Sequence, residues 1–357
     1  MKTSLRMMTL GFTALCLVSG QPAQSHACTG ILLVGKDGTV VRSRTIEWGP
    51  FDLKGRLDID PRGHVFKAQT MPDGKVGHSW KSKYGMVGTS ALGRALYGDG
   101  INEVELSVGA FYLPGFSSFP DYNPKQAKSS IAPTDVAGFL LTQFRNVKSV
   151  GFPFPLHWIV TEPSGKSIVI EFVKKKMVIY DAPLGVITNS PPYDWHITNL
   201  RNYVNLSALS LPAKKIDGLN FAPLGAGSGM IGLPGDFTPP SRFVRAVAFA
   251  KSARKTEGGY DTVRETFRIL DNFNVPLGAA EGTGTAPKKK DVLYSATQWT
   301  TAADLTNRVL YYHTQFSRRV RKVDLKKIDF TKLGGKMITR PLDKTRKEDV
   351  LDLTPGR

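Results

Sequence analysis

The sequence predicts a single α+β domain in which strands outnumber helices, on three observations. Short apolar, β-branched segments recur in hairpin and meander order with turn residues between them. Only three stretches carry the spacing of a helix with one apolar face. No internal repeat and no linker-like stretch divides the chain.

The elements follow in order. Strands over 30–34 and 39–45 flank Gly35, Lys36, Asp37 and Gly38, a hairpin turn, so that Cys28 and Arg44 come to lie side by side at its open end. A helix over 133–145 places Val136, Phe139, Leu140 and Phe144 on one face, with Pro133 suited to its first turn. Strands over 156–161, 167–172 and 177–182 form a meander that turns at Pro163, Ser164 and Gly165 and then at the lysines 174–176, a solvated turn. A strand over 184–188 continues it and delivers Asn189 at its end. A helix over 242–251 follows Pro239 and Pro240 with Ser241 as its N-cap, and another over 262–273 aligns Val263, Phe267 and Leu270. Segments 292–302 and 308–312 read as a hairpin around 304–307, and from about Thr331 the apolar pattern thins into a charged tail, 331–357.

The 357 residues carry 48 Lys and Arg against 30 Asp and Glu, a net charge of +18, with 41% hydrophobic and 22% charged residues and two cysteines. Those figures are ordinary for a globular protein and argue against disorder, collagen or a disulfide scaffold. The long apolar run, 7–18, is too short to cross a bilayer, which takes about 20 residues. It follows Lys2 and Arg6 and precedes Gly20, Gln21 and Pro22, then Ser25, His26 and Ala27, which puts small residues at the −3 and −1 positions of a cleavage site. Residues 1–27 therefore read as a secretory signal, and the protein as periplasmic or secreted. Cleavage after Ala27 removes Lys2, Arg6 and Cys16 and leaves 330 residues with net charge +16, beginning at Cys28. A single exported thiol, unable to form an intramolecular disulfide and placed at the cleavage point, needs an explanation.

Two explanations compete. A lipoprotein signal ends at a Cys that becomes acylated, but it wants an aliphatic residue three positions before that Cys, where Ser25 stands; the fit is poor. Alternatively Cys28 is an N-terminal nucleophile whose own α-amine is the base. With ordinary pKa values of about 7.7 to 8.0 for the amine and 8.5 for a thiol, proton transfer between them is nearly thermoneutral and needs no histidine. A papain-type hydrolase would need one, and His64, His78, His157, His196 and His313 are available, none in a recognisable setting; His157 alternates in a strand and reads as structural. No His, Cys, Asp and Glu cluster suggests a metal and no glycine run has phosphate-loop spacing, so no cofactor is expected. The positive charge is spread over 174–176, 288–290, 318–327 and 344–347 without interleaved aromatics, which argues against nucleic acid and for solvation or an anionic envelope.

The motifs Cys28-Thr29-Gly30, Arg44-Thr45-Ile46-Glu47-Trp48, Val186 to Pro191, Asn199 to Tyr203, and Leu233 to Asp236 leading into Ser241 to Arg245 run in order through essentially the whole mature chain. In this the sequence resembles the choloylglycine hydrolase family, which comprises conjugated bile salt hydrolases and penicillin V acylases. The resemblance implies a four-layer αββα sandwich of the N-terminal nucleophile type over 28–330, and hydrolysis of the C–N bond of a small N-acyl amide: penicillin V, a conjugated bile salt or an N-acyl homoserine lactone. It also brings the homo-oligomeric state found in the family as an open expectation, beside the alternative of a non-catalytic envelope lipoprotein that binds apolar ligands.

Carried over residue by residue, the resemblance makes Cys28 the nucleophile and its α-amine the general base and later acid. Arg44 would favour the thiolate. Glu47 stands where most members have Asp and would bond the α-amine or orient Arg44. Asn189, through its side-chain amide, and Tyr112, through its backbone N–H, would hold the oxyanion. Arg242 matches the second active-site arginine, and Arg245 reads as a surface residue. Members with Tyr at the position of Tyr112 tend towards penicillin V. Where the family often has a glycine, two residues before the strand leading to Tyr112, this chain has Glu105, which predicts a different turn. Trp48, Phe51, Tyr84, Met86, Phe116 and Phe119 are the candidates for an apolar acyl pocket, with 116–119 as a mobile lid.

Overall fold

The computed structural model describes residues 28–49, 51–144, 155–280, 296–345, 350 and 353–354. The expected signal 1–27, residues 145 and 292–295 of two expected elements, and the lysines 288–290 lie outside them.

Two antiparallel sheets face each other. The smaller runs in the order β1 (Gly30–Val34), β2 (Val40–Trp48), β14 (Ala296–Asp304), β15 (Val309–Thr314), β16 (Arg321–Asp324). The larger runs β11 (Lys176–Asp181), β10 (Ser167–Val173), β9 (Leu156–Thr161), β8 (Ser107–Tyr112), β7 (Leu96–Asn102), β6 (Met86–Ala91), β3 (Arg56–Asp60), β17 (Ile338–Pro341). Two short hairpins, β4 (Val65–Lys67) with β5 (Ser79–Lys81) and β12 (Lys214–Ile216) with β13 (Leu219–Phe221), stand outside them.

Alternation along β2 shows how the layers arise, since successive side chains of a strand point to opposite faces. Ile46 packs with Leu57, Val87 and Ile101 of the larger sheet, while Val41 packs with Val263 and Phe267 of helix α4 (Gly259–Leu270). Helix α3 (Pro239–Ser252) covers β1 on the same side as α4. Helix α1 (Pro133–Gln143) covers the far face of the larger sheet over Met86, Val108 and Trp158. The order of layers is helix, sheet, sheet, helix, the expected αββα sandwich. A fourth helix, α2 (Tyr193–Asn199), packs beside α3.

Several boundaries differ from expectation for local reasons. No strand forms over 184–188: Gly185 takes a φ of +65°, and the segment touches β1 through one bridge, Gly30 to Ile187, whose N–H and C=O groups exchange bonds of 2.8 and 3.1 Å. Helix α3 starts at Pro239, so its N-cap is Thr238 and not Ser241, whose hydroxyl donates to Asp236 instead. The stretch read as a charged tail contributes β17 and buries Leu342 against Trp299 and Leu57. The turn before β8 forms without glycine: Glu105 takes a φ of +71°, and Asn102 Oδ1 accepts the N–H groups of Val104 and Leu106 at 3.1 and 2.9 Å. Between α2 and α3 an arm including β12 and β13 projects with Leu209, Leu219, Phe221 and Leu224 all exposed.

Candidate active site

Cys28 lies two residues before the start of β1 and is buried, its thiol free. Its N–H donates to Asn189 Oδ1 at 2.7 Å. Arg242, in the first turn of α3, spends its fork on the same residues: Nη1 donates to the Cys28 carbonyl at 2.6 Å and to Thr29 Oγ1 at 2.9 Å, Nη2 to Asn189 Oδ1 at 2.9 Å, and Nε to the Phe237 carbonyl at 2.9 Å. A guanidinium with five fixed donors suits this task; a lysine ammonium could not bridge three segments in one plane. Asn189 Nδ2 donates in turn to the Tyr112 carbonyl at 2.8 Å. The structure thus brings Cys28, Asn189, Arg242 and Tyr112 together from β1, the bridge segment, α3 and the end of β8.

Arg44 points from β2 into the space between the sheets. Its Nη1 donates to the Gly98 carbonyl at 2.7 Å and to that of Ala110, and its guanidinium carbon lies 4.0 Å from the centre of the Phe111 ring. The arginine therefore ties β2 to β7 and to the strand that ends at Tyr112. Asp99, buried and accepting from the hydroxyls of Thr89 and Thr301, is pushed up by burial and pulled down by the Arg44 cation, a neighbour that sequence reasoning missed because a lone acid in a strand has no distinguishing signal.

Burial pushes the Cys28 thiol up, opposed by the Arg44 cation, the Glu47 N–H and the Arg242 cation, while the Glu47 carboxylate adds to the rise. Burial wins, so the resting thiol is protonated and a base is needed at the moment of attack. Burial also lifts Glu47 to about 7, against the Arg242 cation and the hydroxyls of Thr45 and Thr297, the latter at 3.0 Å. In the uncleaved chain the single peptide N–H of Cys28 goes to Asn189, and the Glu47 carboxyl accepts from Thr297. Arg242, drawn down to about 10 by burial, remains a cation at neutral pH.

The pocket candidates separate into two groups. Trp48 packs edge-on to Phe51 at 5.6 Å and to Tyr112 at 6.0 Å between ring centres, making an aromatic rim beside the site, with Phe51 exposed. Met86 and Phe119 do not belong to it. Met86 is wholly buried under α1, and Phe119 stacks on Phe172 at 5.0 Å in the same core. Tyr84 lies at the other end of the larger sheet, its N–H on the Thr142 carbonyl. The segment 116–119 is no free lid: Ser118 exchanges backbone bonds with Phe172 and Lys175 at 2.8 and 3.0 Å, which leaves Phe116 as its one exposed aromatic. Arg245 is a correction of the opposite kind. It is buried, donates to the carbonyls of Pro234 and Asp236 at 2.6 and 2.7 Å, and so fastens the loop that leads into α3. Among the described residues, His157 bonds Glu171 and the Thr188 carbonyl, and His196 bonds the Asn189 carbonyl.

The fold is that of the N-terminal nucleophile hydrolases, and the chemistry its relatives share is hydrolysis of amide C–N bonds. The chain belongs to the choloylglycine hydrolase family of linear amide C–N hydrolases, whose sequence model matches residues 28–151 and 146–339. A bile salt hydrolase/transferase from Clostridium perfringens is 30% identical over 89% of this chain and 98% of its own. A penicillin V acylase from Pectobacterium atrosepticum is 25% identical over 91% of this chain and 87% of its own. Among solved structures, a cysteine-to-alanine mutant of the conjugated bile acid hydrolase from Clostridium perfringens superposes with a TM-score of 0.76 at 26% identity, over 92% of this chain and all of the other. The penicillin V acylase from Agrobacterium tumefaciens shares the fold with a TM-score of 0.71 at 24% identity, over 91% of this chain and 94% of that one.

Proposed function

We propose that this chain is an exported cysteine amidohydrolase: removal of the signal 1–27 in the periplasm or outside the cell frees the α-amine of Cys28, and the enzyme then cleaves an N-acyl amide through a thioester. One observation carries the reading. The residue at the expected cleavage point is not a loose terminus but the centre of the site, with its nitrogen on Asn189 and its carbonyl on Arg242. The solved Clostridium perfringens variants support it too, for the replaced cysteine and arginine stand as far apart along that chain as Cys28 and Arg44 do here.

The steps balance within the site. The α-amine takes the thiol proton of Cys28, and the thiolate attacks the substrate carbonyl carbon. A C–S bond forms, and the oxygen gathers negative charge against the second N–H of Asn189 Nδ2 and the backbone N–H of Tyr112. Collapse breaks the C–N bond while the α-ammonium protonates the departing amine. Water, deprotonated by the same amine, hydrolyses the thioester and restores the thiol. Glu47 and the two arginines set the field in which these transfers run, and the Glu47 carboxylate is the counter-charge to the ammonium.

The rim of Trp48, Phe51 and Tyr112 supports an apolar acyl group, and Tyr112 favours penicillin V over conjugated bile salts. The exposed apolar arm between α2 and α3 supports a homo-oligomer, which light scattering measures directly. The decisive experiment is intact mass and N-terminal sequencing of the protein purified from an exporting host, followed by hydrolysis of penicillin V, glycocholate and an acyl homoserine lactone. A first residue of Cys28 and loss of hydrolysis in Cys28→Ala are expected. A lipid on Cys28, or a chain that begins elsewhere, overturns the mechanism.

A further inference from the structure

Asn189 sits where no sheet ladder holds the backbone: one bridge at Ile187 is followed at once by the turn into α2. Two imidazoles take the place of a ladder. His157 on β9 puts Nε2 2.9 Å from the Thr188 carbonyl oxygen, and His196 on α2 puts Nε2 2.9 Å from the Asn189 carbonyl oxygen. Both rings are 1% exposed. A carbonyl only accepts, so each Nε2 carries a proton.

The His157 ring is itself fixed. Its Nδ1 lies 2.8 Å from Glu171 Oε1, and that same oxygen accepts the Tyr193 N–H at 3.0 Å. Since Nε2 already carries the proton that the Thr188 carbonyl accepts, a second hydrogen is shared between Nδ1 and Glu171 Oε1, and the two side chains form a fully buried hydrogen-bonded pair. Such a pair costs desolvation that apolar packing would avoid, which makes a purely space-filling role a poor account of it. His196 is braced by stacking on Phe243 of α3 at 4.6 Å, the residue after Arg242.

We propose that His157, together with His196, is a positioning residue for the oxyanion site: by gripping the consecutive carbonyls of Thr188 and Asn189, the two rings fix the backbone from which the Asn189 amide projects towards Cys28 and Tyr112. The inference rests on the reading of Asn189 as an oxyanion donor. A donor misplaced by about 1 Å costs roughly 10²-fold in rate, and the imidazoles act on rate through that placement without touching substrate.

The test uses the mature chain beginning at Cys28. For each variant, kcat and KM are measured on penicillin V and glycocholate, together with the rate of Cys28 alkylation by iodoacetamide, which needs no oxyanion donor. Cys28 is the single thiol of that chain, so alkylation reads the nucleophile alone. His157→Ala is expected to lower kcat about 10²-fold with KM and alkylation each within about threefold. His157→Gln, which offers an amide N–H where Nε2 stands, is expected to recover at least about tenfold of that loss. Because removing one member of a buried pair can prevent folding, His196→Ala, which leaves the Glu171 pair intact, is measured beside it and is expected to show the same split. The proposal is overturned if kcat and alkylation fall together, if Gln is no better than Ala at position 157, or if both alanine variants hydrolyse at the wild-type rate. A wild-type chain that hydrolyses neither amide removes the underlying reading and the inference with it; an active wild type with any of those patterns removes the inference alone.

Discussion

The side-chain amide of Asn189 donates to the main-chain carbonyl of Tyr112 at 2.8 Å, joining two groups that lie 77 residues apart in sequence. Its oxygen meanwhile accepts from Cys28 and from Arg242, so a single amide sets the distance between Cys28, Arg242 and the end of β8.

In the proposed mechanism Asn189→Ala removes an oxyanion donor and is expected to lower kcat by about 10² to 10³. It also strands the buried N–H of Cys28 and one Arg242 donor, which lowers stability by about 1–3 kcal/mol. Steady-state kinetics and thermal melting separate the two effects; a variant that melts early but keeps kcat speaks against the catalytic role.

The carboxyl of Glu47 makes a signed prediction about pH. Burial raises it to about 7 in the fold, above its ordinary value of 4.5, so the folded protein holds a proton that the unfolded chain releases. Its contribution is fully present below about 4.5 and is lost as pH rises through about 7. Compared with Glu47→Gln, the wild type is therefore expected to lose stability steadily across that window and to run parallel below it. Urea titrations at four or five pH values read this out, and a difference between the two proteins that stays constant with pH contradicts the assignment.

Tyr112→Asn keeps the backbone N–H but deletes the ring that packs on Trp48. The ratio of kcat/KM for penicillin V to that for glycocholate is expected to fall. An unchanged or rising ratio removes Tyr112 from substrate choice.

Glu105 holds a left-handed conformation that costs an ordinary residue roughly 1–2 kcal/mol. Its compensation is a half-exposed ion pair with Arg308 at 3.5 Å, a contact of the kind that contributes about 0–1 kcal/mol. Glu105→Gly is therefore expected to raise stability by up to about 1 kcal/mol, with activity unaltered. A lower melting temperature in that variant shows that the ion pair outweighs the backbone cost.

How much of this was legible in the chain depended on how local the signal was. The β1 to β2 hairpin, the meander of β9 to β11 and the stripes of α1 and α4 follow from periodicity and turn residues within a dozen positions, and the structure bears them out. The segment before Asn189 did not form a strand because its partner is a single residue of β1, a long-range fact with no local trace. The same holds for the site: the resemblance pointed to Cys28, Arg44, Asn189 and Arg242, and the fold gathers them, but the burial of Arg245 and the turn of Glu47 towards Thr297 depend on a loop and a strand far away in sequence. The pocket candidates were the least readable, since Met86 and Phe119 carry the same apolar label as Trp48 and Phe51 while packing in the core under α1.

Gly30 follows Cys28 by two positions and has no side chain to offer, yet a Cβ there would stand 2.3 Å from Arg42 Nη2 and 2.8 Å from the Phe111 ring. Arg42 is itself buried and bonded to the Gly185 carbonyl at 2.8 Å, so it cannot step aside cheaply. A saturation library scored by turnover would therefore rank position 30 beside the chemical residues, and a map of intolerance drawn from such a library would outline the seating of the first strand as sharply as the reaction itself.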